Sequence, residues 1–157
     1  MAIGPSAPLG SERVAGLDPA LDFMRLLWSI EHGLQKISKR MKTEIGLTGP
    51  QRLVLRVVGR FPDVSAGELA HIVRLHPSTI TGVVQRLVSR GLLERERDPR
   101  DGRRVRLRLN AKAFRYTRIT SGTVEHAVKQ ALTKSGRRRV TAAREVLAEI
   151  AESLNEC

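Results

Sequence analysis

The residues best suited to reaching a partner outside this chain are its arginines. Of the 28 basic residues 22 are Arg and 6 are Lys, against 16 acidic residues, and the 157 residues carry a formal charge of +12. A guanidinium is a planar fork of donors that fits phosphate oxygens and the acceptor edge of guanine. A high-GC genome also raises the Arg content without any function, so position along the chain must decide. Seven arginines fall between Arg95 and Arg108, and in Arg104-Val105-Arg106-Leu107-Arg108-Leu109 charged and apolar side chains alternate. A second group lies just upstream. At the helical angle of about 100° per residue, Ile80, Val83, Val84, Leu87 and Val88 collect on one side. Ser78, Gly82, Gln85 and Ser89 lie opposite, flanked by Thr79, Thr81 and Arg86.

That outer face is small, polar and free of acids, so it can enter a major groove about 12 Å wide. Ser78, Thr79 and Thr81 stand near a helix N-terminus, whose dipole favours an anion. Gly82 permits close approach of the backbone, Gln85 can read adenine, and Arg86 can hold phosphate or guanine.

Other chemistries find no footing. The single cysteine, Cys157, excludes an intrachain disulfide and any cysteine-built metal site. His32, His71, His76 and His126 are scattered, with no two spaced to share a helix face, so neither metal nor cofactor is expected. No nucleotide-binding glycine loop, nucleophile elbow or H-E-x-x-H occurs, so catalytic residues are not expected and the chain does not read as an enzyme. No stretch approaches the roughly 18 apolar residues of a membrane span, and the N-terminus lacks the apolar core of a secretory signal. A cytoplasmic location is the expectation.

The elements that must position these groups can be read in order. Residues 18–46 form a long helical pattern in which Leu27, Ile30, Leu34, Ile37 and Met41 recur at steps of 3, 4, 3, 4. Leu17, Leu21, Met24 and Trp28 make an adjoining stripe, more apolar surface than a lone helix should carry. Thr48-Gly49-Pro50-Gln51 opens a second helix with a capping box, and Leu53, Val54, Val57 and Val58 give its expected buried face before Phe61-Pro62 ends it. Ser65-Ala66-Gly67-Glu68 is another capping box, opening a short helix. After a turn at residues 74–76, Pro77 starts a fourth helix that stops at Gly91. Two short helices joined by so brief a turn outline a helix-turn-helix.

The alternating arginine segment pairs with Leu93-Glu94-Arg95-Glu96-Arg97 across the turn Asp98-Pro99-Arg100-Asp101-Gly102, giving a basic hairpin. Alternating Arg can merely protect a sheet edge. Seven in this short span exceed that need, and a basic hairpin directly after a helix-turn-helix is a wing able to place Arg in a minor groove. Arg97, Arg100, Asp101, Arg103 and Arg104 are its candidate DNA-facing residues, with Asp101 expected to fix the Arg103 guanidinium. Asn110 can cap a following helix expected to reach about Leu132, with a weak point at Ser121-Gly122. The last helix, about 136–154, repeats Val140, Ala143, Leu147, Ile150 and Leu154 at steps of 3, 4, 3, 4, an a/d seam. With Leu21 and Met24 these residues form the expected dimer interface.

Residues from about 47 to 110 resemble the MarR family of winged-helix transcriptional regulators. The resemblance is carried by LTGPQRLVLRVV, by SAGELAHIVRLHPSTITGVVQRLVSRGLLERERDPRDGRRVRLRL and by the asparagine that follows. It implies an obligate homodimer with recognition helices in successive major grooves and wings in the flanking minor grooves. It also implies that Asp101 and Arg103 match the wing's paired Asp and Arg. Asn110 and Ala113 depart from the Thr and Gly common after the wing, yet Asn still caps and Ala still favours helix.

The expected fold is therefore mostly α: a winged helix-turn-helix with a small antiparallel β-hairpin wing and long N- and C-terminal dimerisation helices. Residues 1–17 read as a flexible arm, 18–46 and 111–157 as the dimerisation region, and 47–110 as the DNA-binding domain. The expected function is sequence-specific binding of double-stranded DNA as a homodimer, most simply as a repressor. The alternative is a non-specific basic protein that coats DNA without effector control. Members of the family often answer to small aromatic or phenolic acids. Trp28 and His32, one turn apart, with Arg56 as a carboxylate partner, are the candidate pocket for such an effector.

Overall fold

The computed structural model describes residues 16–156, which divide into two compact units on either side of the Lys36–Ile37 bond. Of the arm expected over 1–17, only Gly16 and Leu17 are described; Cys157 also lies outside the described residues.

The first unit holds the N-terminal part of α1 (Pro19–Ile45). Asp18 starts this helix by accepting the Ala20 N–H at 2.9 Å, and Pro19 suits the first position because it lacks an N–H to satisfy. Leu21, Met24 and Trp28 of one expected apolar stripe and Ile30 of the other are exposed among the described residues.

The second unit begins with the last turns of α1, where Met41 is buried, and continues into α2 (Gly49–Arg60). Both halves of the expected capping box form: Thr48 Oγ1 accepts the Gln51 N–H, and Gln51 Oε1 accepts the Thr48 N–H. The buried face of α2 differs from the expectation. Val54 and Val58 are inside, but Leu53 is exposed and Val57 only half-buried, while Gln51, Arg52 and Leu55 take the inner positions. The helix is turned because the Arg52 guanidinium finds enough acceptors to be buried, as described below.

β1 (Val64–Ser65) leads into α3 (Ala66–Val73), capped reciprocally by Ser65 and Glu68. The turn to α4 (Pro77–Ser89) contains Arg74 at a left-handed φ of 53°. Ile80, Val83, Val84 and Leu87 of α4 enter the core with Leu47, Val54, Leu55, Val58, Leu69, Leu93 and Leu107. At roughly 1.5–3 kcal/mol for each large aliphatic side chain taken from water, this is the main stabilising term of the winged unit. Arg90 ends α4 and donates to the Gly46 carbonyl at the end of α1 at 2.6 Å.

The hairpin is β2 (Leu93–Arg97) and β3 (Val105–Leu109), and β1 adds to β3, giving an antiparallel sheet in the order β1-β3-β2. Glu94 faces Arg108 and Glu96 faces Arg106, so opposite charges meet across the strands. Leu107 pairs with both Val64 and Arg95 and sends its side chain into the core.

The single helix expected after Asn110 is broken. Asn110 does cap, accepting the Lys112 N–H, but the path is a 3₁₀ turn over Ala111–Ala113, then α5 (Phe114–Thr117), a break, and α6 (Val124–Thr133). Gly122 takes a φ of 70°, and Thr123, buried, restarts the helix by accepting the His126 N–H. The weak point at Ser121-Gly122 is thus a full interruption. α7 (Arg137–Glu156) completes the chain with Leu147 and Leu154 exposed and Val140 and Ile150 half-buried.

Candidate nucleic-acid interface

The site starts from the N-terminus of α4. His76 is the capping residue: its Nδ1 accepts the Ser78 N–H at 3.3 Å and lies 2.7 Å from Ser78 Oγ. Sequence reasoning treated His76 only as part of a turn, because His is not a favoured capping residue. Thr81 donates its hydroxyl to the Pro77 carbonyl at 2.9 Å, so its oxygen is left to accept. Thr79, Gln85 and Arg86 are exposed, and among the described residues their side chains make no hydrogen bond or ion pair. Their donors and acceptors are available to an outside partner.

Gly82 lies between these groups. A Cβ built there would meet only the Arg86 Nη2 at 3.7 Å, an ordinary contact. Nothing among the described residues therefore requires glycine, although glycine in a helix interior costs about 0.5–1 kcal/mol relative to alanine. A surface that must let something else come close would explain it.

The wing sorts its seven arginines into two sets. Arg104 pairs with Glu68 at 3.0 Å, Arg106 with Asp98 at 2.7 Å, and Arg108 with Asp63 at 2.5 Å and Glu96 at 3.2 Å. These pairs tie β3 to β2, to the β1 approach and to α3. Arg95, Arg97, Arg100 and Arg103 are exposed and have no ion pair among the described residues. Of the expected wing contacts, then, Arg97, Arg100 and Arg103 have free guanidinium groups, while Arg104 is engaged. Seven arginines overstated the free charge.

Asp101 acts differently from the expectation. Its Oδ1 accepts the backbone N–H of Arg103 at 3.1 Å, and its carbonyl accepts the Arg104 N–H at 2.9 Å. No ion pair joins Asp101 to the Arg103 side chain among the described residues. Asp101 shapes the chain that carries Arg103 and leaves the guanidinium loose.

Three carboxylates beneath the wing are held below their ordinary range. The Arg100 backbone N–H, then the Arg106 guanidinium, favour the Asp98 anion, and Asp98 is buried. Hydrogen bonding from Arg108 does the same for Asp63, and Arg108 is raised in turn. For Glu68 the Ser65 backbone N–H leads, followed by the Ser65 hydroxyl, with Arg104 adding to them. The base of the wing is thus charged and internally neutralised, and the tip is charged and free.

Trp28 and His32 are exposed in the first unit. Arg56 belongs to the second, where it donates to the Thr117 carbonyl at 3.1 Å and pairs with Glu125 at 3.3 Å. Among the described residues no group of three or more metal-ligating side chains converges, and no helix is long and apolar enough to cross a membrane.

Residues 45–104 match the MarR family model. The PcaV transcriptional regulator from Streptomyces coelicolor, solved with its natural ligand, is 27% identical, with a TM-score of 0.71 over 88% of this chain and 98% of that one. The transcriptional regulator SlyA is 21% identical, with a TM-score of 0.70 over 86% and 95%. S. aureus MepR, solved as a DNA complex, is 14% identical, with a TM-score of 0.69 over 84% and 97%. Comparison with curated protein sequences finds no match. SlyA and PcaV are both described as transcriptional regulators.

Proposed function

We propose that this chain, whose residues 45–104 match the MarR family model and whose fold is that of winged-helix transcriptional regulators, represses transcription as a homodimer on double-stranded DNA. The observation that carries the reading is the outer face of α4. It is free of acids, and among the described residues its Thr79, Gln85 and Arg86 are unengaged and nothing requires its glycine. Gln85 supplies base readout, Arg86 and the capped N-terminus hold phosphate, and Arg97, Arg100 and Arg103 reach the adjoining minor groove. The exposed seams of α1 and α7 favour a second copy as the partner, because each helix alone leaves apolar side chains in water.

Selection from a pool of random duplexes tests this. The expected product is an inverted repeat whose half-site centres lie about one helical turn, roughly 10 bp, apart. Recovery of no enriched sequence overturns the reading and favours a non-specific DNA-coating protein.

Control by a small aromatic acid belongs to the same proposal; the PcaV structure with its natural ligand, at 27% identity, supports control by a ligand. In that account Arg56 exchanges Glu125 for the effector carboxylate. Addition of such acids should release the selected operator.

A further inference from the structure

One guanidinium gathers four oxygens where α2 meets the break between α5 and α6. Arg52 is 2% exposed. Its Nε donates to Glu125 Oε2 at 2.7 Å and its Nη2 to Glu125 Oε1 at 3.1 Å, a side-on bidentate pair. Nη1 donates to the Tyr116 carbonyl and Nη2 also to the Ile119 carbonyl. Those carbonyls belong to the end of α5 and the start of the break, where a stopped helix leaves acceptors without partners. Glu125 stands in the first turn of α6, where a carboxylate is favoured. A single side chain therefore holds both sides of the interruption.

The clamp is joined to the recognition helix through the core. Val54, Leu55 and Val58 of α2 share one cluster with Ile80, Val84 and Leu87 of α4. It is also joined to α1, because Ser38 Oγ accepts the Gly49 N–H at 2.8 Å. A Cβ at Gly49 would stand 3.4 Å from both Ser38 Oγ and Val124 Cγ2, so α1, α2 and α6 close on one point. An apolar residue at position 52 could fill the same space, but it would fix no direction. The guanidinium is buried while the Glu125 side chain is 41% exposed, and a buried charge is a poor source of stability, so its geometry is the better reason to keep it.

We infer that the Arg52–Glu125 clamp is a positioning device: it fixes the direction in which the C-terminal helices leave the winged domain, and so the separation of the two recognition helices in the dimer. This rests on the regulator reading above, and its consequence is that the clamp makes the protein selective for half-site spacing. Arg52 and Glu125 touch no DNA in this account.

The test uses the full chain and the selected operator, with its half-sites moved 1 or 2 bp closer or further apart and with one half-site alone. Wild type should favour one spacing by about tenfold, and Glu125→Gln should lose most of that preference while binding the single half-site almost as well. Arg52→Lys should behave alike, because an ammonium cannot reproduce the fork. A merely structural role would instead weaken all these duplexes in parallel. The inference is overturned if folded Glu125→Gln keeps the full spacing preference, or loses affinity equally for every duplex. A nitroxide on Ser89→Cys in a Cys157→Ser background reads the same geometry without DNA. The distance distribution between protomers should be narrow in wild type and broad with Glu125→Gln. An unchanged distribution also overturns the clamp. A wild-type chain that selects no sequence instead overturns the regulator reading, leaving this distance measurement to decide the clamp.

Discussion

Gly82 and Arg103 show what a residue does when its neighbours in the chain make no demand on it. The space beside Gly82 is open to an added methyl group. Gly82→Ala should therefore stabilise the free protein by about 0.5–1 kcal/mol. If α4 lies against DNA, the same change should weaken binding, so thermal melting and DNA affinity move in opposite directions. Unaltered affinity would remove Gly82 from the interface. Arg103 lies exposed at the exit of the wing turn, its backbone N–H held by Asp101 and its guanidinium unpaired among the described residues. Arg103→Ala should leave the melting temperature nearly unchanged and cost affinity, with the larger loss on operators whose flanks are AT-rich and narrow-grooved. Equal affinity of wild type and variant on AT- and GC-flanked duplexes would make this residue a bystander. The outer face of α4 was legible in the sequence because it is a local pattern of types at helical spacing. Arg52 was not, since a buried Arg and a solvated one look alike until the carbonyls of a distant break are brought to it.

Among the elements, the wing is anchored at its base by charge. Hydrogen bonds from Arg100 and Arg106 depress Asp98, and Asp63 and Glu68 are depressed beside it. A carboxylate favoured as the anion in the folded state contributes stability above its unfolded pKa, about 3.9 for Asp. The contribution is lost as pH falls through the lower folded value. Thermal melting of Asp98→Asn should accordingly fall below wild type by a steady margin near neutrality, and the margin should shrink as the pH drops below about 4. A margin that holds unchanged to pH 3 would show that the ionised carboxylate is not what anchors the wing. The hairpin and both capping boxes could be read from alternation and from short signatures. The third strand was missed because Val64–Ser65 is too short to show a period. Which arginines are free was missed because ion pairs such as Arg104 to Glu68 join residues far apart in sequence.

For the whole molecule, the apolar seams of α1 and α7 set the expected assembly. Leu21, Met24, Leu147 and Leu154 are all at least 40% exposed in the isolated chain. Leu147→Glu together with Ile150→Glu places two charges in the α7 seam and should yield a monomer by light scattering, with operator affinity falling alongside. A double variant that remains dimeric and binds normally would place the interface elsewhere.

The central claim, that this protein reads sequence and does not merely answer to phosphate charge, rests most directly on one ratio. Its affinity for the selected operator should be measured against a scrambled duplex of equal length at physiological salt. The account predicts a preference of about 10³ or more, as specific regulators show over their own non-specific binding. A ratio near one, with affinity for both duplexes falling equally as salt rises, would contradict it and leave only a basic protein that coats DNA.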